Sequence, residues 1–178
     1  MGVPWHWGAT PAEIARPYPC DALEPAPAAR WLRAVSVRAP ADRVFRWLCQ
    51  LKVAPYSYDL IDNLGRRSPR QLTDGADDLA TGQQFMTIFT LVDFAPGKHL
   101  TLRLTDPWAL RAFGALVITY AVHPVDDGHT RLVAKLNTGR LGDGPLHGAR
   151  RAALAWGDLI MMRRQLLNLR DLAERGQL

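Results

Sequence analysis

Apolar and polar residues alternate along the chain with periods that change every ten to twenty positions. From Trp31 to Val37 one side carries Trp31, Val35 and Val37, with Arg33 among them, and the other carries Leu32, Ala34 and Ser36, the pattern of a strand. Pro40 and Asp42 then suit the first turn of a helix, and Val44, Trp47, Leu48 and Leu51 recur at helical spacing. A second short helix is predicted over Tyr58 to Leu64, stopped by Gly65. Residues 66–82 are polar and glycine-bearing and read as a loop. Gln84 to Phe94 is one long apolar-rich run, closed by the Pro96-Gly97 turn. Leu100, Leu102 and Leu104 alternate with Thr101, Arg103 and Thr105, a half-buried strand. Ala115 to Val122 is β-branched and aromatic, and Asp126-Asp127-Gly128 turns it into Arg131 to Asn137.

After Gly142 and Gly144-Pro145 one helix is predicted from Leu146 to Arg175. On a helical wheel Ala149, Ala152, Ala153, Trp156, Leu159, Ile160, Leu166 and Leu167 share an arc, with Asp158, Gln165 and Asn168 opposite and Met161, Met162 and Leu169 on the flanks. Residues 1–29 hold six prolines, yet Trp5, Trp7, Ile14, Tyr18 and Leu23 are too apolar to be left in water. They read as an arm packed on a single domain spanning 30–178, with one helical turn at Pro11-Ala15. The order is strand, helix, helix, antiparallel strands, long helix. It predicts an α+β architecture in which a curved antiparallel sheet grips the last helix and leaves room for a cavity between them.

Composition changes this picture little. The 178 residues are 48% apolar and 22% charged, ordinary globular values. The formal net charge of +5 comes almost entirely from arginine, spread along the chain without a basic tract, so a solvated surface is expected and nucleic acid is not. No apolar run is long enough to cross a bilayer, so no membrane insertion is expected, and no secretory leader is read at the start. A cytoplasmic protein is expected. Cys20 and Cys49 stand far apart and the five histidines are scattered, so neither a metal nor another cofactor is expected.

Particular words carry a resemblance: Gly8-Ala9-Thr10; Val37-Arg38-Ala39-Pro40-Ala41-Asp42-Arg43-Val44-Phe45-Arg46-Trp47-Leu48; Tyr56-Ser57-Tyr58-Asp59 with Asn63-Leu64-Gly65; Thr130-Arg131-Leu132-Val133; and Met162-Arg163-Arg164-Gln165-Leu166-Leu167 before Ala173-Glu174. In these the chain resembles a bacterial branch of the START-like or SRPBCC superfamily, also called polyketide cyclase/dehydrase-like, which has the helix-grip fold. The chain departs from that branch at Pro19-Cys20-Asp21 and before Tyr56, where a glycine-rich element is missing. The resemblance implies a deep apolar pocket for a hydrophobic or amphipathic small molecule, and no single reaction, since members include carriers, aromatases and oxygenases.

Eight residues are candidates for that pocket: Tyr56, Tyr58, Asp59, Phe113, Tyr120, Trp156, Ile160 and Arg163. Asp59 beside phenols could act as a general base, or simply cap the short helix. Arg163 falls within the apolar arc, in one predicted column with Trp156, Ile160 and Leu167. It would either meet a carboxylate such as Asp59 or a ligand oxyanion, or bend around the helix edge. Trp156, Met161, Met162 and Phe113 could line a pocket or form plain core. No nucleophile elbow or phosphate loop is present. Three readings stay open: a carrier or sensor of a small hydrophobic molecule; a cyclase, aromatase or dehydratase using Asp59, Tyr58 and Arg163; or an interaction module whose apolar patch comes from Trp5 and Trp7. The oligomeric state is left open.

Overall fold

The computed structural model describes residues 2–57, 68–140 and 147–175. In chain order its elements are β1 (His6–Trp7), α1 (Pro11–Ala15), α2 (Pro19–Leu23), β2 (Ala29–Val37), α3 (Ala41–Cys49), a 3-10 turn (Gln50–Lys52), β3 (Gln84–Phe85), β4 (Phe89–Ala95), β5 (His99–Leu104), α4 (Pro107–Phe113), β6 (Leu116–Asp126), β7 (His129–Thr138) and α5 (His147–Arg175). The strands form one sheet in the order β1-β2-β7-β6-β5-β4-β3. It is antiparallel throughout except where β1 lies parallel to β2, pairing His6 with Leu32 and Trp7 with Arg33. With α5 gripped by this sheet, the architecture is the α+β helix-grip fold that the pattern predicts.

Strand alternation sorts the side chains between two faces. Trp31, Val35, Val37, Leu100, Leu102, Leu104, Ile118, Tyr120, Leu132, Ala134 and Leu136 are buried on the concave face, toward α3 and α5. Leu32, Ala34, Val117, Ala121 and Val133 point to the convex face, where Tyr18 and Cys20 of the arm cover them. Two ion pairs hold the arm there: Arg131 to Glu13 and Lys135 to Asp21, each at 2.8 Å. The chain enters this arm through Gly8, whose φ of +70° and contact with the Ala34 carbonyl leave no room for a Cβ.

The long helix runs beside β2 in the same direction. Arg151 donates to the Ala28 carbonyl at 3.3 Å, Arg33 to Asp158 at 2.8 Å, and the Arg38 backbone N–H to Glu174 at 2.9 Å, so three points along the strand meet three successive points along the helix.

Several elements differ from the sequence reading. The run from Gln84 to Phe94 is not one strand but a hairpin, folded back through Met86 and Thr87 at φ of 47° and 69°. Neither residue is a usual left-handed turn former, so the turn has no composition signal. Residues 107–113 form α4, capped by Asp106, whose carboxylate accepts from the Ala109 N–H, and ended by Gly114 at φ 76°. The helix predicted over Tyr58 to Leu64 lies outside the described residues. The largest correction is rotational. The buried stripe of α5 is Ala155, Leu159, Met162, Leu166, Leu169 and Ala173, about a quarter turn from the predicted arc. Its physical cause is that three polar residues point inward to partners: Asp158 to Arg33, Gln165 to Tyr120, and Asn168 to the Tyr56 carbonyl.

Candidate functional site

The concave face away from β2 is an apolar wall. Phe85 of β3, Phe89 and Leu91 of β4, Leu100, Leu102 and Leu104 of β5, and Ile118 of β6 all project into it and are buried. Alternation puts every second residue of β5 and β6 on this wall; in β4 it is interrupted by a bulge between Leu91 and Asp93, after which Phe94 lies opposite Leu100. The wall ends at α4. There the Thr105 and Asp106 N–H groups donate to the Ile88 carbonyl at 3.0 and 3.3 Å, tying the start of α4 to the β3-β4 hairpin. On α4, Trp108 and Phe113 meet edge to face at 5.9 Å and remain exposed.

Polar groups enter this interior at two places. Tyr120 donates its hydroxyl to Gln165 Oε1 at 2.7 Å, and Gln165 Nε2 donates to the Pro55 carbonyl at 2.6 Å. Burial pushes the Tyr120 phenol far above its usual range, so it is a neutral donor at any physiological pH. The second place is the buried pair of Arg33 and Asp158. The Arg33 guanidinium also donates to the Trp5 carbonyl at 2.8 Å, so the pair ties arm, strand and helix together. Burial pushes the Asp158 carboxyl up to about 6 against the pull of Arg33. It pushes Arg33 down in turn, against the pull of Asp158.

The candidate residues do not gather in one place. Tyr120 stands on the wall. Tyr56 is buried with its ring edge-on to Trp47 at 6.1 Å. Phe113 sits on the exposed rim. Trp156 and Ile160 stand on the exposed side of α5, not in an inward column. Arg163 is exposed as well, its guanidinium 5.6 Å from the centre of the Trp7 ring, so it stacks on the arm instead of entering the interior. Tyr58 and Asp59 lie outside the described residues, and with them the expected Asp59–Arg163 pair. Among the described residues no three His, Cys, Asp or Glu side chains assemble a metal site, and no helix is long and apolar enough to cross a membrane.

Sequence reasoning missed Arg33, Asp158, Gln165 and Trp108. For the first pair a signal existed. Arg33 alternates with Trp31 and Val35 on the buried side of a strand, where a guanidinium requires an acid.

No protein-family model matches the chain, and no curated protein is similar to it. Solved structures are. The Zhui aromatase/cyclase from Streptomyces sp. R1128 is 17% identical, with 84% of this chain covering 95% of that one at a TM-score of 0.52. A Thermobifida fusca protein is 17% identical over 80% of this chain and 94% of its own, at a TM-score of 0.51. The di-domain aromatase/cyclase BexL of the BE-7585A biosynthetic pathway is 15% identical, with 82% of this chain covering 46% of that one, also at 0.51. The chain therefore shares the helix-grip fold of these solved structures.

Proposed function

We propose that the protein binds a small hydrophobic or amphipathic molecule between the concave wall and α5, as a carrier or sensor. One observation carries this reading: the wholly apolar wall of Phe89, Leu91, Leu102, Leu104 and Ile118 ends at a rim where Trp108 and Phe113 stay exposed. Apolar interior continued into exposed aromatic residues is what an entrance for an apolar ligand requires. The Tyr120 phenol oxygen, whose proton goes to Gln165, keeps a lone pair that would accept from a ligand hydroxyl. The aromatase/cyclase names of Zhui and BexL make flat polycyclic aromatic compounds the first ligands to try.

The enzymatic reading has less support. It needs Tyr58, Asp59 and Arg163 in one cavity, and Arg163 lies on the outer surface over Trp7. The interaction-module reading drew its patch from Trp5 and Trp7, and both are packed against the core.

The test is titration with 1-anilinonaphthalene-8-sulfonate followed by displacement with palmitic acid or anthraquinone, with stoichiometry from native mass spectrometry. Saturable one-to-one binding is expected, weakened about tenfold or more by Leu102→Trp, which fills the wall. Trp108→Ala at the rim slows ligand entry without altering the fold. A folded wild type that takes up none of the probes overturns the proposal.

A further inference from the structure

Of the nine large apolar side chains exposed among the described residues, Val3, Val53 and Val125 stand apart and the other six lie on two helices. Trp108 (68% exposed), Leu110 (37%) and Phe113 (38%) lie on α4, and Trp156 (48%), Ile160 (53%) and Met161 (40%) on α5. Arg150 of α5 donates to the Ala112 carbonyl at 3.0 Å, so the end of α4 abuts the first turns of α5. At 3.6 residues per turn, Ala149, Ala153, Trp156, Gly157, Ile160, Met161 and Arg164 share an arc of about 140°. That arc is centred opposite the stripe buried on the sheet.

The charge beside this exposed arc is one-sided. Residues 107–113 contain Arg111 and no acid. On α5, Arg150 and Arg164 stand on the exposed arc, and Arg151 and Arg163 turn to Trp5 and Trp7 of the arm. Of the acids, Asp158 is turned inward to Arg33, Asp171 pairs with Arg170 and Glu174 with Arg38. Arg111, Arg150 and Arg164 thus border an apolar face on which residues 107–113 and 147–165 present no outward acid.

We infer that the outer faces of α4 and α5 dock the protein onto an anionic lipid bilayer. Tryptophan, isoleucine and methionine would enter the headgroup layer while the arginines meet lipid phosphates. A bilayer fits better than a partner protein, because the apolar residues stand on the outer side of a helix, a convex surface. Side chains that protrude need no complementary groove in a fluid interface. Indole rings also favour the boundary between apolar and wet layers. Among the described residues no helix is long and apolar enough to cross a bilayer, so the contact proposed is peripheral. It stands independently of the interior ligand, and it would set the Trp108 and Phe113 rim against the membrane.

The experiment is co-sedimentation of ligand-free protein with phosphatidylcholine vesicles, with and without about 30 mol% phosphatidylglycerol, at low salt and about 0.5 M salt. Binding to the anionic vesicles at low salt, and not to the neutral ones, is expected. The double variant Trp108→Ala/Trp156→Ala should lower the partition coefficient about tenfold. Arg111→Gln/Arg164→Gln should lower it by about tenfold and flatten its salt dependence. All four side chains are exposed, and an unchanged Tm confirms that each variant is folded. Absence of vesicle binding, equal binding to neutral vesicles, or both double variants binding like wild type overturns the inference. So does vesicle-free self-association that the tryptophan variant abolishes, which would assign the face to a second copy of the chain.

Discussion

Arg33 and Asp158 show how one buried pair can be both a tie and a cost. Each is held away from its charged form by burial, as the upward shift of Asp158 to about 6 records. Because the folded carboxyl titrates above its ordinary 3.8, its contribution to stability is full below about pH 4 and is lost as pH rises through about 6. Arg33→Met removes the partner that pulls the carboxyl down. The variant should be destabilised by about 3–5 kcal/mol at pH 8, where an unpaired carboxylate is buried, and by much less at pH 4, where it is protonated. Urea unfolding at the two pH values measures the difference; an equal loss at both would contradict this account. The double variant Arg33→Met/Asp158→Leu should recover most of the loss. At this scale the sequence is legible only through its exceptions. Val35 and Leu102 are where alternation puts them, whereas Asp158 and Gln165 were sorted to the solvent side because a wheel weighs hydropathy and cannot see a partner.

At the scale of elements, the N-terminal arm is fastened by charge over a small apolar core. Burial alone would raise Glu13 and Asp21, but Arg131 and the Thr10 N–H outweigh it for the first, as Lys135, the Tyr18 N–H and Asn137 do for the second. Both carboxyls are held below their ordinary range, so the stability they add is present above about pH 4 and is lost as pH falls through the folded values. The two cysteines report on the two faces: Cys20, on α2 of the arm, faces the convex side of the sheet and Cys49 lies in the concave core, both fully buried. Asp21→Asn should therefore speed labelling of Cys20 by iodoacetamide about tenfold or more while leaving Cys49 unchanged. Equal acceleration of both would mean global unfolding instead of release of the arm. The strands β5 and β7 and the helix α3 were readable because each keeps one period and has ordinary turn residues beside it. The short β1 pairing, α4 and the Met86–Thr87 turn were not, since each is decided by contacts distant in sequence or by a conformation its residues do not advertise.

The whole molecule is organised by one long-range pairing. Residues of β2 bond to β7 along their full length, Ala29 opposite Thr138 through Val37 opposite Thr130, and α5 then settles beside β2. The sheet is therefore incomplete until most of the chain is present, and such non-local topology folds slowly. Refolding after rapid dilution, followed by tryptophan fluorescence, should take milliseconds to seconds; microsecond recovery would contradict it. The small β1 strand has a different consequence. A nine-residue strand at a sheet margin offers a row of open amides and carbonyls to any other extended chain. His6 and Trp7 occupy that margin at its midpoint, leaving no uninterrupted template on either side. Two residues of the arm thus act as a stopper against fibrillar stacking, and a protease that clipped them off would leave the whole length of β2 open to another extended chain.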